Sequence, residues 1–328
     1  MRFAINIPNF GDFSDPRAVA DLAQRAEAAG WDGLFIWDHV TYEKRLLREI
    51  GDPWVLLTAA ALATRRIRLG TMVTPIARRR VSKLAREVTT LDRLSGGRMV
   101  LGAGLGAPIG DEFGSFGETT DPRLLAARLD EGLTALNLLW SGEPVTFGGA
   151  HVSIDDVAFR PVPVQRPRVP VWVGGNWPNK APMRRAARWD GAVPNLDPSA
   201  VPDARPPDLA TVRALHAFLQ RCRDEAGNGH EPFDLVVSGV SPAGTGATQD
   251  LFGSLGEAGA TWWQECMPWD ERLDRAGPIL RRAEQGPAQD VWRRTDRCRA
   301  GSADNAHGAS AELSPSVARP QDPWQAVR

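Results

Sequence analysis

Lysine is nearly absent from this chain, confined to Lys44, Lys83 and Lys180, and Tyr42 is its single tyrosine. Positive charge is carried almost wholly by arginine beside abundant alanine and glycine, which is the codon signature of a GC-rich genome. Cysteine is scarce as well. Cys222, Cys266 and Cys298 are odd in number and lack ligand spacing, which supports neither a disulfide framework nor a zinc site, so no metal is expected. Charge of one sign is missing: 39 basic against 40 acidic residues leave −1, and no basic field attracts nucleic acid or anionic lipid. Long hydrophobic runs are missing too, falling far short of the ~20 residues of a membrane helix. The opening Met1-Arg2-Phe3-Ala4-Ile5-Asn6-Ile7-Pro8 turns polar too soon for a signal-peptide core. These absences point to a soluble cytoplasmic protein with a small-molecule partner.

What is present is ordinary globular composition, 42% hydrophobic and 24% charged over 328 residues, patterned as an alternation. Apolar runs of strand type open at Phe3–Ile7, Gly33–Trp37, Ile67–Met72, Arg98–Gly102, Val169–Val173, Gly191–Val193, Asp234–Val237 and Ala260–Trp263. Amphipathic segments separate them. Three start at Asp-Pro pairs (Asp15-Pro16, Asp52-Pro53, Asp121-Pro122), with aspartate as N-cap and proline at the first helical position. The others span 80–94, 180–188, the stretch carrying Val212, Leu215, Leu219 and Cys222, 247–258 and 270–282. A β-hairpin turning at Gly148-Gly149 interrupts after the fourth helix. Eight strands alternating with eight helices across residues 1–285 (about the length of such folds) predict an α/β class (β/α)8 TIM barrel. From 286 to 328 no hydrophobic period persists, and a disordered tail is expected.

In such barrels the site lies on loops after the strands. His39, with Asp38 beside it, follows strand two, and a histidine there suits proton transfer near neutrality. Gly102, Gly104, Gly106 and Ala107 formally match the dinucleotide fingerprint, but Pro108 follows where a helix should begin, and the match lies fourth in the alternation. These glycines are instead expected to let a flat ring approach the backbone. Gly174-Gly175-Asn176, just before a helix, is a candidate phosphate loop. Arg78-Arg79-Arg80 reads either as solvated surface or as a steering patch for a polyanionic cofactor.

The chain resembles the bacterial luciferase-like family of flavin- or deazaflavin-dependent oxidoreductases. The matching segments include Ala28-Ala29-Gly30-Trp31-Asp32-Gly33-Leu34 through Trp37-Asp38-His39, Arg66-Ile67-Arg68-Leu69-Gly70-Thr71 through Thr74-Pro75, and Leu91-Asp92-Arg93-Leu94-Ser95-Gly96-Gly97-Arg98. Leu139-Trp140-Ser141-Gly142-Glu143-Pro144-Val145, Val171-Trp172-Val173-Gly174-Gly175 and Gly259-Ala260-Thr261-Trp262-Trp263 continue it in order. The resemblance implies a reduced flavin (FMN) or coenzyme F420 in the barrel mouth. A bulge or non-prolyl cis peptide at Thr71, Met72 and Val73 would support the ring, with Asn6, Gly104, Gly106, Gly174, Gly175 and Asn176 as further cofactor contacts. His39 and Asp38 would be catalytic, and Trp37, Trp263 and Glu265 would wall the substrate.

The leading expectation is a monooxygenase using reduced FMN and O2 on an organic substrate, supplied by a separate reductase. The alternative is F420-dependent hydride transfer without oxygen insertion, favoured by the GC-rich background. A non-catalytic flavin-binding barrel is a third reading, and a homodimer is a further expectation. In the F420-dependent sugar-phosphate dehydrogenase branch a glutamate acid follows the strand-four glycines. Here Ala107 and Pro108 stand at that point, with Asp111 and Glu112 beyond.

Overall fold

The computed structural model describes residues 1–196, 207–241, 245–266 and 273–287. Its chain begins with β1 (Arg2–Ile7), β2 (Gly33–Ile36), β3 (Arg68–Pro75) and β4 (Met99–Gly104). An antiparallel pair, β5 (Pro144–Gly148) and β6 (Ser153–Ala158), stands apart as the expected hairpin. Then come β7 (Val171–Asn176), β8 (Gly191–Asn195), β9 (Asp234–Gly239) and β10 (Trp262–Glu265). The eight barrel strands close in the order β1-β10-β9-β8-β7-β4-β3-β2, every pairing parallel. The expected (β/α)8 architecture is what forms.

Outside the strands lie α1 (Pro16–Ala28), α2 (Pro53–Ala63), α3 (Val81–Ser95), the four-residue α4 (Ile109–Glu112) and α5 (Pro122–Leu139). They are followed by α6 (Lys180–Ala186), α7 (Leu209–Glu225), α8 (Thr245–Glu257) and α9 (Ala276–Glu284). The three Asp-Pro starts act locally as read. Asp15 accepts from the Arg17 N–H, Asp52 from those of Trp54 and Val55, and Asp121 from that of Arg123. Each satisfies a first-turn donor that would otherwise lack a partner. Glu131 on α5 ties down the hairpin by accepting the N–H groups of Ala150, His151 and Val152. The last helix begins later than expected, at Ala276, and the segment expected to be disordered lies, from 288 on, outside the described residues.

Alternation along the strands sorts side chains into two layers. Phe3, Ile5, Ile7, Leu34, Ile36, Leu69, Leu101 and Val237 point outward into the main core beneath the helices. Ala4, Phe35, Met72, Val100, Trp172, Val236 and Trp262 point inward and pack together. Phe35, Trp172 and Trp262 have ring centroids 5.1 to 6.2 Å apart and plug the barrel. Anything bound must therefore sit above this aromatic floor, at the carboxyl ends of the strands.

Several strands run further than expected: β3 to Pro75, β4 to Gly104 and β7 to Asn176, so Gly104, Gly174, Gly175 and Asn176 lie within strands rather than on the loops after them. The last barrel strand runs Trp262–Glu265, two residues beyond the Ala260–Trp263 run. Glu265 is thus within the strand rather than on a loop. With Trp263 it belongs to the outward-facing set, and the inward pair is Trp262 and Gln264.

Candidate active site

Above the floor opens a cavity of about 1640 Å³. It is lined by residues from the ends of β1, β3, β4, β7, β8, β9 and β10 and the loops beyond them. Among the expected site residues, Asn6, Trp37, Asp38, His39, Met72, Val73, Gly104, Gly106, Gly174, Gly175 and Asn176 all border it. Three do not. Thr71 is fully buried behind β3, where its hydroxyl donates to the Gly102 carbonyl at 3.1 Å and accepts from Thr74 at 2.9 Å. Trp263 packs against Phe252 of α8 and donates its indole N–H to Glu265 at 2.9 Å. Glu265 in turn accepts from the Ser241 N–H and from Arg282 on α9. Both belong to the packing between barrel and helices, not to a substrate wall, because alternation along β10 turns Trp262 and Gln264 inward and Trp263 and Glu265 outward.

The expected irregularity in β3 is present: the Met72–Val73 peptide is cis, and the register to β4 shifts between Thr71 and Thr74. It changes how the glycines work. A Cβ on Gly104 would lie 2.6 Å from one Val73 methyl, and a Cβ on Gly174 would lie 2.9 Å from the other. The Val73 side chain therefore occupies the space these two glycines leave. Gly106, at φ +80°, makes room for Pro75, and Gly175 for Pro182. A side chain at any of these positions would meet a neighbouring residue, and all four glycines border the cavity.

Two buried amides supply what the glycines do not. Asn6, 8% exposed, donates weakly to the Cys266 sulfur at 3.9 Å, while its Oδ1 has no partner. Gln264, on the neighbouring strand and 1% exposed, accepts from Ser238 at 2.9 Å, and its Nε2 has no partner. A buried acceptor and a buried donor left open on the same wall cost free energy unless something pairs with them. The pyrimidine edge of a flavin or deazaflavin, an N–H flanked by carbonyls, has the complementary set. The residues present thus fit such a ring, with Met72 and Val73 alongside.

His39 is held from three directions. Asn9, fully buried after β1, accepts from the His39 N–H at 3.2 Å and donates to its carbonyl at 2.8 Å. Phe10, Trp37 and Tyr42 surround the ring, with centroids 6.3, 5.6 and 4.6 Å away. Glu112, at the end of α4 and 0% exposed, stands 2.9 Å from Nδ1. Burial pushes the imidazole pKa down to about 4, with the Arg78 and Arg48 charges adding and Asp38 opposing. Glu112, in contact with Arg78, stands against Nδ1 and opposes this downward shift. The same burial pushes the Tyr42 hydroxyl up to about 12 and the Cys266 thiol up to about 12, so neither titrates there.

Asp38 Oδ1 takes 2.7 Å hydrogen bonds from both Arg78 and Arg79, its Oδ2 has no hydrogen-bond partner, and its side chain is 1% exposed. Two residues of the arginine run turn inward, Arg78 onto Asp38 and Glu112 and Arg79 onto Asp38, while Arg80 is exposed. Sequence reasoning named Glu112 only as a residue beyond the glycines. Asn9, Tyr42 and Gln264 it did not single out, and nothing local marks them.

A parallel eight-stranded barrel with a wide cavity at its strand ends and a histidine on the cavity wall defines the class as a (β/α)8 barrel with its site in the usual place. Residues 1–241 match the model of the luciferase-like monooxygenase family, and the chain belongs to that family. It is 32% identical over 228 residues to an F420-dependent glucose-6-phosphate dehydrogenase of Microbacterium testaceum, covering 68% of this chain and 63% of that protein. An F420-dependent hydroxymycolic acid dehydrogenase of Mycobacterium tuberculosis is 27% identical, over 85% of this chain and 71% of its own. Among solved structures, monooxygenase RslO1 of Streptomyces bottropensis superposes with a TM-score of 0.61 at 26% identity, covering 92% of this chain and 82% of that one. Among the described residues no helix is long and apolar enough to cross a membrane.

Proposed function

We propose that the protein is an F420-dependent oxidoreductase that moves a hydride between the cofactor and an alcohol or carbonyl carbon of a small organic substrate. The single observation carrying this reading is the placement of His39: its ring borders the cavity, and its Nδ1 lies 2.9 Å from the Glu112 carboxyl group, which leaves Nε2 for the substrate. Oxidising an alcohol requires removal of the hydroxyl proton as the carbon gives up its hydride, and a neutral imidazole serves that need. The F420-dependent relatives support the same choice of cofactor over the FMN-dependent monooxygenation that the sequence puts first.

Asn6 and Gln264 would pair with the ring edge, and Met72 and Val73 would bear on its face. Gly174, Gly175 and Asn176 would meet the phosphate-bearing side chain through backbone and amide groups. Bound there, the deazaflavin supplies a two-electron hydride acceptor or donor. Trp37 and Tyr42 wall the substrate side and exclude water. His39 Nε2 takes the hydroxyl proton during oxidation and returns it to the carbonyl oxygen in the reverse direction.

Titration with F420 and with FMN, followed by anaerobic reduction of F420 by a panel of alcohols, tests this. F420 should bind more tightly, and reduction should proceed without O2. His39→Ala should lower kcat by roughly 10²–10⁴-fold with little change in cofactor affinity. Tight FMN binding with substrate-dependent O2 consumption would instead favour monooxygenation, a reading supported by the likeness to RslO1.

A further inference from the structure

Glu112 is an unusual residue to find with no solvent exposure. A buried carboxylate is costly unless its lone pairs are used, and the four groups that use them all belong to the segments around His39. Oε1 meets His39 Nδ1 at 2.9 Å and the Thr41 N–H at 3.4 Å. Oε2 meets the Val40 N–H at 3.3 Å and, more closely, Arg78. An ionised carboxylate only accepts hydrogen bonds, so the partner chemistry sets the imidazole tautomer: Nδ1 carries the proton and Nε2 the lone pair. Were the proton on Nε2, Nδ1 and Glu112 would present two acceptors to each other at contact distance.

We propose that Glu112 is a positioning residue: through Nδ1–H it locks His39 in the tautomer and orientation that leave Nε2 a proton acceptor at the cavity wall, with Arg78 in contact with its other oxygen. This rests on the reading of His39 as the proton acceptor. It also gives a place to the loop after β4, which has Ala107 and Pro108 where the resemblance implies an acid: the carboxylate that reaches the site is Glu112, and it acts behind the histidine rather than beside the cofactor. Every charged or titratable group facing the pair takes part. Asp38 and Arg79 brace Arg78, Arg48 lies over Tyr42 on the far side, and Tyr42 itself stays protonated.

The test separates positioning from catalysis. Full-length protein with bound F420, its histidines labelled with ¹⁵N, gives the tautomer of each ring directly from long-range ¹H–¹⁵N correlations, and His39→Gln assigns the signal. Wild type should show Nδ1–H at His39. Glu112→Ala should convert at least half of it to Nε2–H. Glu112→Gln, whose side-chain oxygen still accepts, should keep the Nδ1–H form. In activity, Glu112→Ala should lower kcat about 10–100-fold with KM and F420 affinity nearly unchanged, and Glu112→Gln should recover most of that loss. An Nε2–H wild-type signal, or a tautomer indifferent to Glu112→Ala, overturns the proposal. If the tautomer follows Glu112 while His39→Ala leaves turnover intact, positioning stands and the assignment of His39 as proton acceptor fails. Folding of each variant is checked by its melting curve, and if Glu112→Ala does not fold, Glu112→Gln and Glu112→Asp carry the tautomer measurement: Nδ1–H lost in either overturns the proposal, and retained in both supports it.

Discussion

Arg78 is the keystone of the charge arrangement, and Arg78→Met would remove its charge while keeping much of its length. Asp38 and Glu112 are then left with 3% and 0% exposure and one cation fewer. Breaking a buried ion pair by deleting one partner typically costs about 3–5 kcal/mol. Asp38 keeps Arg79 at 2.7 Å, which limits its share. Glu112 keeps only the imidazole N–H and two long backbone contacts of 3.3 and 3.4 Å. The low end, about 3 kcal/mol, is therefore expected, or roughly 5 °C in melting temperature for a domain of this size. The penalty has a signature. An uncompensated buried carboxylate escapes it by taking up a proton, so the deficit against wild type should shrink when the pH is lowered from about 7.5 to about 5. Arg78→Met/Glu112→Gln should melt higher than Arg78→Met alone. Thermal denaturation at the two pH values decides the matter. A single mutant within about 2 °C of wild type, or a deficit that grows on acidification, would refute the reasoning.

Further outcomes follow from the same geometry. Because His39 is held at about 4 rather than its ordinary 6.5, the unfolded chain binds the extra proton first. Its contribution to stability is complete above about 6.5 and is lost as the pH falls towards 4, by at most about 3 kcal/mol, readable from urea midpoints of wild type against His39→Gln. The acidic limb of the rate profile should correspondingly lie below about pH 5, and a limb near 6.5 would contradict the neutral imidazole. Gly104→Ala should clash with Val73 and lower the melting temperature, and adding Val73→Ala to it should recover part of the loss, since both compete for one volume. Trp263→Leu should destabilise by roughly 2–4 kcal/mol through lost packing on Phe252 with little effect on KM, where a substrate wall would show the reverse.

The barrel was legible because its cues are local. An Asp-Pro pair announces an N-cap whatever lies elsewhere, and Asp15, Asp52 and Asp121 all serve as one. Apolar runs without alternation announce strands buried on both faces. The same property hides register. In Ala260-Thr261-Trp262-Trp263-Gln264-Glu265 two tryptophans stand side by side, and nothing local says which one faces inward, so Trp263 and Glu265 were assigned to the wrong layer. His39 could be located from its strand, but not the carboxylate behind it. Glu112 lies 73 residues away on a four-residue helix, and only closure of the loops after β2 and β4 brings the two together. That Val73 packs against Gly104 and Gly174 was hidden for a related reason, since it depends on a bulge in another strand.

The seam of the barrel has a consequence for biosynthesis. Strand β1 pairs with β2, made soon after it, and with β10, made more than two hundred residues later. The seam is finished by α9, where Ala283 accepts the Trp31 indole N–H and Glu284 pairs with Arg25 of α1. While the chain is being made, the outer edge of β1 exposes a row of backbone donors and acceptors with no native partner, the kind of edge that recruits other chains. Completion of the fold must wait for the ribosome to release the last helix. Residues that speed this late closure, rather than those that pack the early helices, should set the yield of folded protein, and the first place to look is the junction of Trp31, Arg282 and Ala283.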